Sequence, residues 1–300
     1  MRPNTLYVIG NGFDLWHGIP SGLGDFKHYV LGADRDIHRE VEDYLPAGKD
    51  WCDLEQALAE LDADMQVDNL GHFMGSFGAE KWSDSGHHDF QCEVGNVVER
   101  LSTALRTRFA EWIRALPIPT PETTPRRLAR LDPEALFLSF NYTNTLSRLY
   151  GADSARVLHI HGRADAPEEE LVLGHARNPQ SRRSLNERAD IEEIDTRLVE
   201  ANDAIDDYFS ATFKRSEELI ARHRPFFGAL DTVEHVVVLG HSLSPVDAIY
   251  FRTLLHQPGV AAARWTIACR NAEEWPEKEQ RLIDVGLRPG AYRPVPWDAL

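Results

Sequence analysis

Short apolar runs separated by longer amphipathic stretches set the rhythm of this chain. TLYVIG (5–10), ALFLSF (135–140), RVLHI (156–160), LVLG (171–174), HVVVLG (235–240) and RWTIAC (264–269) each have strand length. They are rich in β-branched or aromatic residues and stop at turn-forming ones. Near-continuous apolar runs predict strands of a parallel sheet covered on both faces. Between them the period changes. Val98, Leu101, Leu105, Phe109, Trp112 and Leu116 fall at three-and-four spacing, as do Ile191, Ile194, Leu198, Ala201, Ile205 and Tyr208. Each set predicts one apolar helix face, and DLEQALAELDADM (53–65) predicts a third helix.

Strands alternating with helices predict an α/β fold with a doubly wound, Rossmann-like, mostly parallel sheet. Residues 1–34 and 132–300 are expected to form that nucleotide-binding core, with 35–131 as a large helical insertion or cap. PIPTPETTP (117–125) reads as a connector, because proline lacks the amide that a helix or sheet needs. HARNPQSRRSLNERAD (175–190) and GSFGAEKWSDSGHHD (75–89) read as polar loops.

Charge narrows the partners. The 300 residues carry 48 acidic and 32 basic side chains, a formal net charge of −16. Such a surface repels phosphate backbones and anionic lipid, so nucleic acid and membrane are poor partners. A small anionic ligand stays open, because a local nest of amides can hold phosphate inside an acidic protein. No apolar run approaches the roughly 18 residues of a membrane span, and MRPNTLYVIGNG lacks a signal peptide's apolar length. The cytoplasm is the expected compartment. Cys52, Cys92 and Cys269 form no CxxC pair and are expected to be buried, unpaired thiols.

Candidate chemistry sits where the strands end. Parallel sheets bind ligands beyond the carboxyl ends of their strands. Here the first run leads into GNGFD (10–14), the second into NYTN (141–144), the third into HGR (161–163) and the fifth into GHSLS (240–244). Gly10 and Gly12 suit a tight turn and close backbone approach to a phosphate or ribose, but Leu15 stands where a dinucleotide fingerprint has its third glycine. Asp14 suits a helix cap or a hydroxyl contact. Asn141 reads either as a loop hydrogen-bonding residue or as a site amide. His161 suits proton work near neutral pH. His159 lies two residues earlier, on the same side of a strand, and is the better candidate for a satisfied core histidine. With no third ligand nearby, no metal is expected. Asp53 and Glu55 read first as helix-capping carboxylates, with a direct role in the site the lesser reading, and Trp51 as a packing residue before them.

Five of these segments, LYVIGNGFDLWHGIPSGLGDF, WCDLEQAL, FLSFNYTNTL, HIHG and VLGHSLSPVD, occur in order between residue 6 and about residue 251 and together resemble the AbiH family of bacteriophage abortive-infection proteins. A more distant similarity is to the sirtuin-like NAD-consuming fold. That resemblance implies catalytic roles for Asn141 and His161. It implies contacts to NAD, as substrate or ligand, from Gly10, Asn11, Gly12, Phe13, Asp14, Thr143, Gly240, His241, Ser242 and Asn271, the last against the adenosine ribose. Thr143 replaces the sirtuin aspartate and the four-cysteine zinc module is absent, so protein deacylation is not implied. The expected activity is hydrolysis of the nicotinamide–ribose bond, leading to cell shutdown on infection. The alternative is a sensor or interaction module that holds a dinucleotide intact. An enzyme that consumed NAD without restraint would poison its host, so a homo-oligomer, a defence-system partner or a lid is expected to hold it in check, with the 35–131 insertion or the 175–190 loop as candidates.

Overall fold

The computed structural model describes residues 3–74 and 89–300. Nearly all of the expected loop at 75–89 lies outside the described residues. The chain packs as two compact units, one of Met1–Gly22, Ala110–Val172 and Arg215–Leu300, the other of Leu23–Phe109 and Leu173–Lys214. These boundaries differ from the expected 35–131 insertion: the second unit begins at Leu23 and takes in residues 173–214 as well. Among the described residues, no helix is long and apolar enough to cross a membrane.

The first unit is built on one sheet. Its strands are β1 (Thr5–Ile9), β2 (Leu136–Ser139), β3 (Val157–His159), β4 (His235–Leu239), β5 (Arg264–Cys269) and β6 (Tyr292–Pro296). They lie in the order β3-β2-β1-β4-β5-β6, and every neighbouring pair is parallel. Alternation along the strands feeds two cores. Leu6, Val8, Leu138, Val236, Val238 and Ile267 face one, and Tyr7, Ile9, Phe137, Leu239 and Ala268 face the other. Each fully buried aliphatic side chain contributes about 1.5–3 kcal/mol, which is why runs without polar interruption settle in the centre of the sheet.

Two strand expectations are corrected. LVLG (171–174) joins no ladder of the sheet. Its backbone is shared out singly: Val172 N donates to His161 O at 3.0 Å and Val172 O accepts from the Tyr142 hydroxyl at 2.7 Å. β6 was not expected, because YRPVP carries two prolines and no buried residue. An edge position tolerates proline, since the missing amide need not serve a neighbour on that side.

One buried network shows how this unit places polar groups. Tyr150 accepts at its hydroxyl from Leu128 N at 2.8 Å and lies 2.6 Å from His17 Nε2, while His17 Nδ1 lies 2.6 Å from Phe13 O. With the ring neutral, Nδ1–H donates to the carbonyl and Tyr150 donates to Nε2. Burial holds the His17 pKa below the ordinary value. Tyr150→Phe strands both the Leu128 amide and the His17 ring. It should lower stability by about 2 kcal/mol in urea unfolding, and an unchanged midpoint would contradict the network.

The second unit is helical. Asp89–Glu99 continues through a π-helical turn, Arg100–Ala104, into Leu105–Ala115, of which the second unit takes the part up to Phe109, and Thr196–Ala211 supplies the second long helix. The segment at 53–65 is two helices, not one. Leu54–Ala57 stops, and Asp62 accepts from Met65 N at 2.9 Å to start Ala63–Leu70. Asp53 stands at the N-cap position and Glu55 in the first turn of Leu54–Ala57, as expected. Asp53 makes no cap bond with its side chain, and Glu55 pairs at 2.8 Å with Lys214, whose side chain is wholly buried. Trp51 is buried and donates to Glu42 at 2.6 Å. The 175–190 segment is pinned to the helix that follows it, through Arg182 to Asp206 and Asn186 to Val199. Of the cysteines, only Cys269 is buried; Cys52 and Cys92 are exposed, against the expectation of three buried thiols.

Candidate functional site

Because β3, β2, β1 and β4 are parallel neighbours, the segments after them leave the sheet at one edge. The first of these, the glycine loop, crosses directly over the segment after β4. Gly10 N donates to Leu239 O and Gly12 N to Gly240 O, both at 2.9 Å, and Phe13 N closes onto Gly10 O at 2.9 Å. A Cβ on Gly10 would lie 2.5 Å from His241 Cα, and one on Gly12 would lie 2.8 Å from Gly240 Cα. Gly240 has φ +70°, and its Cβ would stand 2.1 Å from Phe13 N. The glycines are thus demanded by backbone packed on backbone. The amides of Gly10, Gly12 and Phe13 already donate within the chain, so a phosphate meets no open donor in those three.

Beneath the loop lies a polar cluster shared by the ends of β1 and β2. Asp14 caps nothing. It is buried, and its Oδ2 accepts from Thr143 Oγ1 at 2.6 Å. Thr143 Oγ1 stands 3.0 Å from Thr145 Oγ1, so the hydroxyl of Thr145 donates to Thr143 in turn. A hydroxyl at 143 complements the carboxylate of Asp14, where a second carboxylate would repel it. Burial pushes Asp14 up from 3.8 to about 6, against the downward pull of Thr143, Thr145 and the Asn141 amide. Asp14 Oδ1 and both polar side-chain atoms of Asn141 are buried, and none makes a hydrogen bond of normal geometry among the described residues. The backbone of Asn141 is by contrast fully held. Its carbonyl lies 2.8 Å from His159 Nδ1 and its amide donates to Ser139 Oγ at 3.2 Å. His159 therefore acts as the satisfied histidine and fixes the strand end that carries Asn141.

The third group lies after β3 and β4. His161 and His241 are both 3% exposed and flank one carboxylate. His241 Nε2 is 3.4 Å from Asp247 Oδ2, and His161 Nε2 is 3.8 Å from Asp247 Oδ1. Leu243 N donates to His241 Nδ1 at 2.8 Å, which leaves the ring proton on Nε2, toward Asp247. Leu243 holds a left-handed φ of 61° to make that bond, a strained conformation offset by its buried side chain. Phe140 forms the floor, edge-on to His161 at 5.4 Å and to His241 at 4.3 Å. Tyr250 faces His161 at 5.6 Å and Tyr142 faces it at 6.2 Å. Gly162, at φ +88°, makes the turn after His161, and a Cβ there would be 2.6 Å from Glu170 O.

Asn141, His161, Asp14, Thr143 and His241 therefore occupy adjacent strand ends of one sheet. Three candidates are engaged elsewhere. Asn11 is exposed and exchanges bonds with Ser21 at 2.7 and 2.6 Å. Asn271 caps a 3-10 turn by accepting from Glu274 N at 3.1 Å. Ser242 is exposed, and its carbonyl accepts from Arg281 at 2.8 Å. Sequence reasoning missed Thr145, Phe140, Tyr250 and above all Asp247. In SPVD the aspartate reads as a helix cap, yet it makes no cap bond and turns its carboxylate inward. The signal was its place in the same motif as His241.

No curated protein and no solved structure matches the chain. The model of the bacteriophage abortive infection AbiH family matches residues 6–269, and it takes in each of the strand-end segments that carry the cluster. The chain belongs to that family, which implies a role in bacteriophage abortive infection.

Proposed function

We propose that the chain acts in abortive infection by hydrolysing NAD, or a closely related nucleotide, at the bond between nicotinamide and ribose. The observation that carries the reading is a buried Asn141 side chain without a hydrogen bond of normal geometry, set at the same sheet edge as His161. Its polar neighbour is the Asp14 carboxylate, which the amide helps to hold ionised, and a buried amide whose bonds are incomplete costs up to about 1–3 kcal/mol. A ribose hydroxyl or a water satisfies an amide's donor and acceptor together, so either relieves that cost. In the reaction, the oxygen of water bonds to ribose C1′ while the C1′–N bond breaks. The bonding pair leaves with nicotinamide and neutralises its ring, and the water proton passes to His161. The products are nicotinamide, ADP-ribose and a proton. Little more is required than orientation of ribose and water and removal of that proton.

Unrestrained loss of NAD would kill an uninfected host, so the activity is read as gated by self-assembly or by a defence partner. The test follows NAD and nicotinamide by mass spectrometry, in purified protein and in phage-infected cells carrying the gene. Wild type should release nicotinamide, and Asn141→Ala and His161→Ala should each slow release by roughly 10²–10⁴-fold. Equal turnover in wild type and both variants would overturn the assignment. NAD bound but intact, and lost on Asn141→Ala, would favour the sensor.

A further inference from the structure

Asp247 stands between two imidazoles, 3.4 Å from His241 Nε2 and 3.8 Å from His161 Nε2. Its backbone sits at the start of the helix Ala248–Leu255, where an aspartate ordinarily bonds to helix amides, yet it makes no such bond. A carboxylate only 6% exposed needs charge or hydrogen-bond partners to remain there. His241 supplies one of fixed polarity, because Leu243 N occupies its Nδ1 and leaves Nε2–H directed at Asp247. A strained backbone at Leu243 thus sets a tautomer, the tautomer holds a carboxylate, and the carboxylate faces His161.

We propose that Asp247 is a positioning residue for His161: its carboxylate, held by His241, orients the His161 ring through Nε2 and stabilises that ring once it has taken up a proton. The proposal rests on the reading of His161 as proton acceptor. At 3.8 Å the contact is electrostatic and not a hydrogen bond; the carboxylate's charge favours the neutral ring's Nε2–H tautomer, which makes Nδ1 the basic nitrogen. Protonation draws the 3.8 Å contact into an ion pair, a gain available only to the charged ring. Among the described residues, the titratable groups seen to face His161 are Asp247, with His241 beyond it, Tyr142 and Tyr250. Asp247 is the carboxylate of that set.

The experiment titrates the histidines by NMR in ligand-free protein, with His161 assigned through His161→Gln. In wild type the neutral His161 ring should show the Nε2–H tautomer. In Asp247→Asn its apparent pKa should fall by about one pH unit or more, and Asp247→Glu should recover part of that fall. A Nδ1–H tautomer in wild type, or an unshifted His161 in folded Asp247→Asn, overturns the proposal. If Asp247→Asn does not fold, the wild-type tautomer decides alone. On NAD, Asp247→Asn should reduce kcat by roughly 10- to 100-fold with KM little changed, a split that loosened folding alone would not produce. Absence of nicotinamide release from wild type with the expected titration would remove the NAD reading and leave the Asp247 assignment standing.

Discussion

Gly240→Ala is expected to be among the most damaging single methyl additions in the first unit, lowering stability by about 3 kcal/mol or more. Two costs combine. The left-handed φ of +70° penalises any L side chain by about 1 kcal/mol. The larger cost comes from the crossing, where the new Cβ would stand 2.1 Å from Phe13 N and 2.5 Å from Gly12 C, both backbone atoms. No rotamer change relieves backbone, so the loops after β1 and β4 would have to separate and give up the 2.9 Å bond from Gly12 N to Gly240 O. Gly151 provides the control. Its φ is +69°, nearly the same, and nothing lies within 4 Å of its Cβ position. Gly151→Ala should therefore show the conformational cost alone, about 1 kcal/mol. Urea unfolding of the two variants checks the comparison, and equal midpoints would refute the crossing as the source of the requirement.

Asp14→Asn should act in the opposite sense, stabilising the protein above pH 6 while losing the benefit in acid. A folded-state pKa of about 6 against the ordinary 3.8 means that the folded chain holds the Asp14 proton more tightly than the unfolded chain. Its contribution is fully present below about pH 4 and is lost as pH rises through about 6. Above that, keeping the carboxylate ionised and buried costs about 3 kcal/mol. Asparagine carries no such cost and can still accept the Thr143 hydroxyl with its amide oxygen. The difference in unfolding free energy between variant and wild type should grow between pH 4 and 7 and then level. A difference that does not vary with pH would show that Asp14 ionises normally.

The pattern of apolar runs made most of the sheet legible, because a strand buried on both faces leaves a continuous signature that no helix surface shares. Five of the six strands announced themselves by apolar runs, the edge strand β3 among them although none of Val157–His159 is fully buried. β6 did not, since an edge strand with Pro294 and Pro296 owes its place to pairing with β5 and not to burial. LVLG looked like a strand because composition reports burial, and Leu171, Leu173 and Gly174 are indeed buried, but composition does not report which backbone the buried segment meets. The site was partly legible for a topological reason: segments that follow parallel neighbours share an edge, so GNGFD, NYTN, HGR and GHSLS could be grouped before any coordinate. What stayed hidden was direction. Nothing in SPVD distinguishes an aspartate that caps its helix from one that turns toward His241. Nothing in GNG distinguishes glycines required by a ligand from glycines required by Gly240.

The two prolines of β6 also limit how this protein can assemble. Two of the strand's five residues, YRPVP, have no N–H, so a strand laid against its outer side would find gaps in the ladder it needs. Two copies cannot easily fuse their sheets across that border into a continuous ribbon, and the same gaps guard against fibre growth. Should the chain multimerise on infection, its contacts are expected away from that border.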